Sequence, residues 1–112
     1  MKKLSKKTTN LLEENGFRVC SINENRGGYC AEIETYSPAG EDVIVTIWYD
    51  GTDKGFILAF QGYAHDFDPD EHAEMWIEGR GENGVPSSIR EILYDADQIK
   101  EMLCDMAEKL GA

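Results

Sequence analysis

The chain lacks any apolar run longer than the five residues Phe56-Ile57-Leu58-Ala59-Phe60, and a bilayer-spanning helix needs roughly 20. No membrane segment is expected. The amino end, Met1-Lys2-Lys3-Leu4-Ser5-Lys6-Lys7, is positive like the start of a signal peptide, but Thr8-Thr9-Asn10 stands where its apolar centre should be, so no export signal is expected. A soluble, cytoplasmic protein follows. Cysteine is sparse: Cys20, Cys30 and Cys104 are odd in number and widely spaced, which is no disulfide framework. Reduced thiols are expected, with a Cys20–Cys30 bridge conceivable only if their strands pair. Proline, at three residues, marks single turns and helix starts, and no repeat or low-complexity tract divides the chain. One domain over residues 1–112 is expected, near the usual domain size.

Positive charge is scarce beside negative charge. Against 22 Asp and Glu there are 11 Lys and Arg, a net charge of −11, and the imbalance is uneven. Residues 1–28 carry six bases and three Glu, while residues 29–112 carry 19 acids and five bases. Such a surface attracts a basic partner and repels nucleic acid and anionic membrane. Direct nucleic-acid binding by Lys2, Lys3, Lys6 and Lys7 is a poor reading beside so many acids. At 41% hydrophobic and 10% aromatic residues, the chain has enough apolar material to fold despite its charge.

Leu4, Thr8, Leu11 and Leu12 recur at helical spacing, and Gly16-Phe17 reads as a helix stop, giving a first helix over about residues 3–15. Alternation over residues 17–22 and 29–36, separated by Asn25-Arg26-Gly27-Gly28, predicts a hairpin. A third strand follows from Val43, Val45, Ile47 and Tyr49 alternating with Ile44, Thr46 and Trp48. Both of its faces are apolar, which suggests a central strand. Asp50-Gly51-Thr52-Asp53-Lys54 reads as a turn into a fourth strand, Phe56-Ile57-Leu58-Ala59-Phe60. Asp68-Pro69-Asp70-Glu71 predicts a helix start, with a capping Asp and Pro at the first helical position. Ser88 and Glu91 form another capping box, followed by helical periodicity to Leu110, in one helix or two. The expected architecture is α+β: a four-stranded antiparallel meander with helices packed on one face, in the order α-β-β-β-β-α-α.

The chemical motifs are negative or structural. Asp66-Phe67-Asp68-Pro69-Asp70 begins like a calcium loop, but Glu71 stands where Gly is needed and Ile77 where the closing Glu belongs. His65 and His72 lie near acids, yet no HExxH or CxxC is present, so no metal or cofactor is expected. The three Cys and two His share no local catalytic signature, and the Gly79–Gly84 loop has no Lys-Ser/Thr ending to hold a phosphate. No enzymatic activity is expected. The most suggestive constellation is an acidic stripe. At about 100° per residue, Asp70, Glu71, Glu74 and Glu78 share one face, and their axial rise of about 12 Å gives a spacing near 4 Å per charge. One DNA strand carries a charge about every 3.4 Å. Asp66 and Glu82 extend the stripe at its ends. The plain alternative is a solvated helix face, with acids favoured near its positive amino end. Trp48 is the candidate aromatic anchor of an interface.

The stretch Phe67-Asp-Pro-Asp-Glu-His-Ala-Glu-Met-Trp-Ile-Glu, with Gly84-Val-Pro-Ser-Ser-Ile-Arg-Glu-Ile and Asp95-Ala-Asp, resembles small proteins of Firmicutes plasmids, phages and conjugative elements. It covers about a quarter to a third of the chain. In size, acidity and layout the whole is also similar, as a class, to anti-CRISPR and antirestriction inhibitors that mimic DNA. That likeness implies a basic nucleic-acid-binding partner, such as a CRISPR effector nuclease, met by Asp66, Asp70, Glu71, Glu74, Glu78 and Glu82. The alternative is a regulatory or scaffolding module of a mobile element that binds through Trp48 and an open sheet face. Oligomeric state is left open.

Overall fold

Local signals account for most element boundaries in the computed structural model, which describes residues 4–78 and 88–112. The expectations for Lys2, Lys3, Glu82 and the loop of residues 79–84 lie outside the described residues, as do the side chains of Trp76 and Glu78. The order is α1 (Lys6–Glu14), β1 (Arg18–Asn25), β2 (Gly28–Tyr36), β3 (Asp42–Tyr49), α2 (Asp53–Asp66), α3 (Pro69–Glu78) and α4 (Ile89–Gly111). Ser5 caps α1 by accepting the Thr8 N–H. At the other end, Phe17 N–H bonds Leu12 C=O and Gly16 N–H bonds Glu13 C=O, with Gly16 at φ +84°. That is a Schellman stop, and it needs the left-handed residue that glycine supplies.

The sheet is an antiparallel meander in the order β1-β2-β3. Arg26 at φ 51° and Gly27 at φ 82° close the first hairpin, the pair of left-handed residues that a type I′ turn demands. The second hairpin has a three-residue loop: Gly40 N–H bonds Ser37 C=O, Gly40 sits at φ +94°, and Ser37 N–H bonds Glu41 C=O. This is a type I turn with a left-handed residue after it.

The sheet has three strands, not four. The run Phe56-Ile57-Leu58-Ala59-Phe60 lies inside α2, and the chain order is therefore α-β-β-β-α-α-α within the α+β class. The reason lies just upstream. Asp50 Oδ1 accepts from both Thr52 N–H and Thr52 Oγ1, and Thr52 Oγ1 in turn caps α2 by accepting the Gly55 N–H at 2.9 Å. What reads as a hairpin turn is a helix start. Gly55 leaves room for this turn, since a Cβ would come within 2.0 Å of Asp50 Oδ1 and push the carboxylate away from Thr52. Phe56, Phe60 and Ala64 then fall four apart on the buried face of the helix. Losing the fourth strand makes β3 an edge strand, where a central one was expected. Residues 89–111 form one helix rather than two.

One face of the sheet is covered by α1, α2 and α4. Ala31, Ile33, Val43, Val45 and Ile47 pack there with Leu12, Phe17, Phe56, Phe60, Ile99, Leu103 and Met106. Edge-to-face ring pairs join the layers: Phe17 and Phe60 at 6.0 Å, Tyr49 and Phe56 at 5.3 Å. Burial raises the Tyr49 pKa to about 12, with help from nearby Asp53. The starts of α1 and α2 are clamped by Asp53, whose carboxylate accepts from Ser5 N–H, Ser5 Oγ and Thr8 Oγ1. Burial alone would raise the Asp53 pKa, but these donors outweigh it and hold it below its ordinary value. α3 sits outside this core, packed on α4 through a small cluster of Ala73, Ile92 and Ala96.

Candidate functional site

Asp68 begins α3 as the sequence predicts, its Oδ1 accepting from Asp70 N–H at 3.0 Å and Glu71 N–H at 3.4 Å. With Pro69 first in the helix, the phase of α3 is set, and Ala73 turns inward. Asp70, Glu71 and Glu74 consequently face solvent. Asp66 is exposed at the end of α2, with His65 Nδ1 at 3.2 Å as its neighbour. Glu78 closes the helix.

His72, on the opposite side of α3, is half-buried, and its Nε2 lies 2.6 Å from Glu41 Oε1. Glu41 is only 5% exposed. Its N–H donates to Ser37 Oγ, and Ser37 Oγ donates to Asp95 Oδ2 at 2.6 Å. Asp95, just 2% exposed, also accepts the Ala39 N–H. These polar contacts tie α3, the β2–β3 turn and α4 together, so the acidic helix is held in place despite its small apolar contact. Nothing in the spacing of the sequence marks Asp95 as a buried acid or His72 as half-buried. Both are structural, and partners 58 and 31 residues away are invisible to local spacing.

α4 carries a second acidic row, whose members extend the acidic run of the sequence beyond α3. Asp97, Glu101, Asp105 and Glu108 on α4 are all exposed, and their spacings of three and four place them on one face. That spacing was legible in the sequence. The bases nearby are occupied: Lys100 Nζ donates to the C=O groups of Ala64 and His65, closing the end of α2, and Lys109 Nζ donates to Asn15 Oδ1. Among the described residues, ion pairs join Arg18 to Glu34, His65 to Asp66 and His72 to Glu41. None engages Asp70, Glu71 or Glu74.

Trp48 lies elsewhere, on the uncovered face of the sheet, 59% exposed. Ile44, 44% exposed, shares its strand face, and Tyr36 on β2 is 58% exposed. Between them Arg18 Nη2 reaches Glu34 Oε1 at 2.6 Å across the β1–β2 pair. That hydrogen bond draws the Glu34 pKa down and the Arg18 pKa up. Partial burial, together with neighbouring Glu34, pushes Asp42 up.

Ile44 also lines a groove of about 470 Å³ with Tyr63 and Phe67 from the end of α2, with Met75 of α3 and with the acids Asp66, Asp68 and Glu71. Sequence reading had no access to this groove, because it depends on the edge position of β3. The three cysteines are free. Cys20 occupies the bulge between Val19 and Ser21, and Cys30 pairs with Asn23, so the two are out of register for a bridge. Among the described residues no three of His, Cys, Asp and Glu come together as a metal-binding group, and no helix is long and apolar enough to cross a membrane.

Compared with protein-family models, curated proteins and solved structures, the chain matches none. The functional reading therefore stands on the surface itself.

Proposed function

We propose that this protein is a non-enzymatic acidic binding protein that occupies the nucleic-acid cleft of a basic partner, with the carboxylates of α3 where phosphates would lie. One observation carries the reading: Asp70, Glu71 and Glu74 face solvent on one side of α3, and none of the three has an ion-pair partner among the described residues. Surface acids are ordinary, but they are usually interspersed with bases, and here Lys100 and Lys109 are turned to other work. The exposed row on α4 adds to the same field. The most specific form of the proposal is a mobile-element inhibitor that blocks a host defence nuclease, a CRISPR effector or restriction enzyme, in the cytoplasm. Its support is the class resemblance in size and acidity.

The test is charge reversal. Glu71→Lys, Glu74→Lys and Glu78→Lys together should abolish inhibition of a susceptible nuclease while the circular dichroism spectrum stays unchanged, and duplex DNA should compete with the parent protein. Affinity should fall with added salt, since exposed charges are screened over about 8–10 Å at physiological ionic strength. Undiminished inhibition by the reversed protein sinks the reading.

A second reading draws on Trp48, Ile44 and Tyr36, which expose large apolar groups on one sheet face. A scaffolding or regulatory module would use them as interface anchors. In that case Trp48→Ala weakens partner binding more than charge reversal does, with little dependence on salt.

A further inference from the structure

We infer that the free edge of β3 is a docking site for an extended basic peptide, which joins the sheet as a fourth strand and lays side chains into the groove beside α2 and α3. The backbone pattern comes first. Ser37 N–H bonds Glu41 C=O in the β2–β3 register, which makes that pair and every second pair after it the hydrogen-bonded ones. Val43, Val45, Ile47 and Tyr49 thus spend their N–H and C=O groups on β2. Those of Ile44, Thr46 and Trp48 point away from it, toward an edge that no other strand among the described residues covers.

The groove lies on this edge. Ile44 is exposed on β3, whereas Tyr63 and Phe67 pack against the helical layer, so the concavity lined by all three joins the two layers beside β3. Its volume of about 470 Å³ is within the range of pockets that hold small ligands. Natural sheets protect such edges with bulges, proline or lysine. β1 has its bulge between Val19 and Ser21, but β3, Asp-Val-Ile-Val-Thr-Ile-Trp-Tyr, has an unbroken register and neither proline nor lysine.

Charge selects the occupant. Asp66, Asp68 and Glu71 flank the apolar lining of Ile44, Tyr63, Phe67 and Met75, so the complementary strand alternates Lys or Arg with apolar residues. Strand addition supplies affinity through the main chain and specificity through alternate side chains. This basic occupant rests on the acidic-partner reading above, while the mode of attachment is new.

The experiment titrates the full chain with three blocked nine-residue peptides of equal charge, followed by calorimetry and by tryptophan fluorescence in a Trp76→Phe background that leaves Trp48 as the reporter: an alternating Lys-Val peptide, the same peptide N-methylated at every second residue, and one with its lysines grouped at one end. The alternating peptide should bind about tenfold or more tighter than the N-methylated one, since several backbone hydrogen bonds are lost. Thr46→Pro, which removes an outward N–H and no ladder bond, should reduce its binding to the same extent. Equal binding of all three peptides would overturn strand addition while leaving an acidic surface that attracts cations. Binding of none at low salt would overturn both readings. A dimer of the protein alone that Thr46→Pro converts to monomer would also overturn the inference, because the edge would belong to a second copy.

Discussion

Ile47 and Trp48 are neighbours in the chain and opposites in the fold. Ile47 is 2% exposed and belongs to the main core, whereas Trp48 stands in solvent on the other face of the same strand. The period of two in a strand makes this unavoidable, but it does not say which face will be covered. Helices α1, α2 and α4 cover one. The other keeps Ile44, Trp48 and Tyr36 exposed beside the Arg18–Glu34 pair. The two faces therefore differ in kind: one holds the molecule together, and the other keeps large apolar side chains exposed among the described residues.

The comparison breaks most readily at the core. Phe60→Ala should cost about 3–5 kcal/mol in urea unfolding, because Phe60 is fully buried between layers, and Ile47→Ala about 2–5 kcal/mol. Ser5→Ala comes next, at about 0.5–2 kcal/mol, for it removes the cap of α1 and one of the two Ser5 donors to Asp53. Only one of those donors, Ser5 Oγ, is a side-chain group, so the backbone bond to Asp53 should survive.

Asp53 also predicts a pH dependence. Its folded-state pKa lies below the unfolded value, so its stabilisation is complete above the unfolded pKa of about 3.9 and is lost as pH falls through the lower, folded one. Asp50 acts in the same direction, its carboxylate held down by the Thr52 hydroxyl and N–H. Asp53→Asn should therefore reduce stability at neutral pH and flatten its decline between about pH 4 and the acid transition. An unchanged slope would show that the clamp between α1 and α2 carries no charge dependence.

The smallest effects belong to the open face. Trp48→Ala should shift unfolding by less than about 0.5 kcal/mol, despite removing the largest side chain in the strand, and Arg18→Ala should leave the urea midpoint unchanged. A large loss of stability in Trp48→Ala would mean that this face is structural, and the comparison would collapse. The sharper outcome is an inverted pair: Ile47→Ala unstable and Trp48→Ala stable, with partner or peptide binding affected in the second.

Much of this was legible locally. Alternation from Val43 to Tyr49, the turn at Asn25-Arg26-Gly27-Gly28, the stop at Gly16-Phe17 and the cap at Asp68-Pro69 each rest on neighbours a few residues apart, and each forms as expected. Phe56-Ile57-Leu58-Ala59-Phe60 was not legible as a helix from its own residues. A five-residue apolar run fits a buried strand or a buried helix equally well, and the decision came from Asp50, Thr52 and Gly55 ahead of it. The exposed acids of α3 followed from helical phase. Asp95 and His72 did not, because their partners, Ser37 and Glu41, come from distant parts of the chain.

By itself, then, the sequence determined the acidic balance, the positions of the three strands and the phase of α3, since charge count, side-chain alternation and capping are properties of short segments. Tertiary structure alone decided that β3 is an edge, that one of its apolar faces stays uncovered, and that Ile44 meets Tyr63 and Phe67 across that edge. The physical reason is that an edge, an open face and a groove are defined by which elements fail to become neighbours, and that outcome rests on the packing of the whole chain.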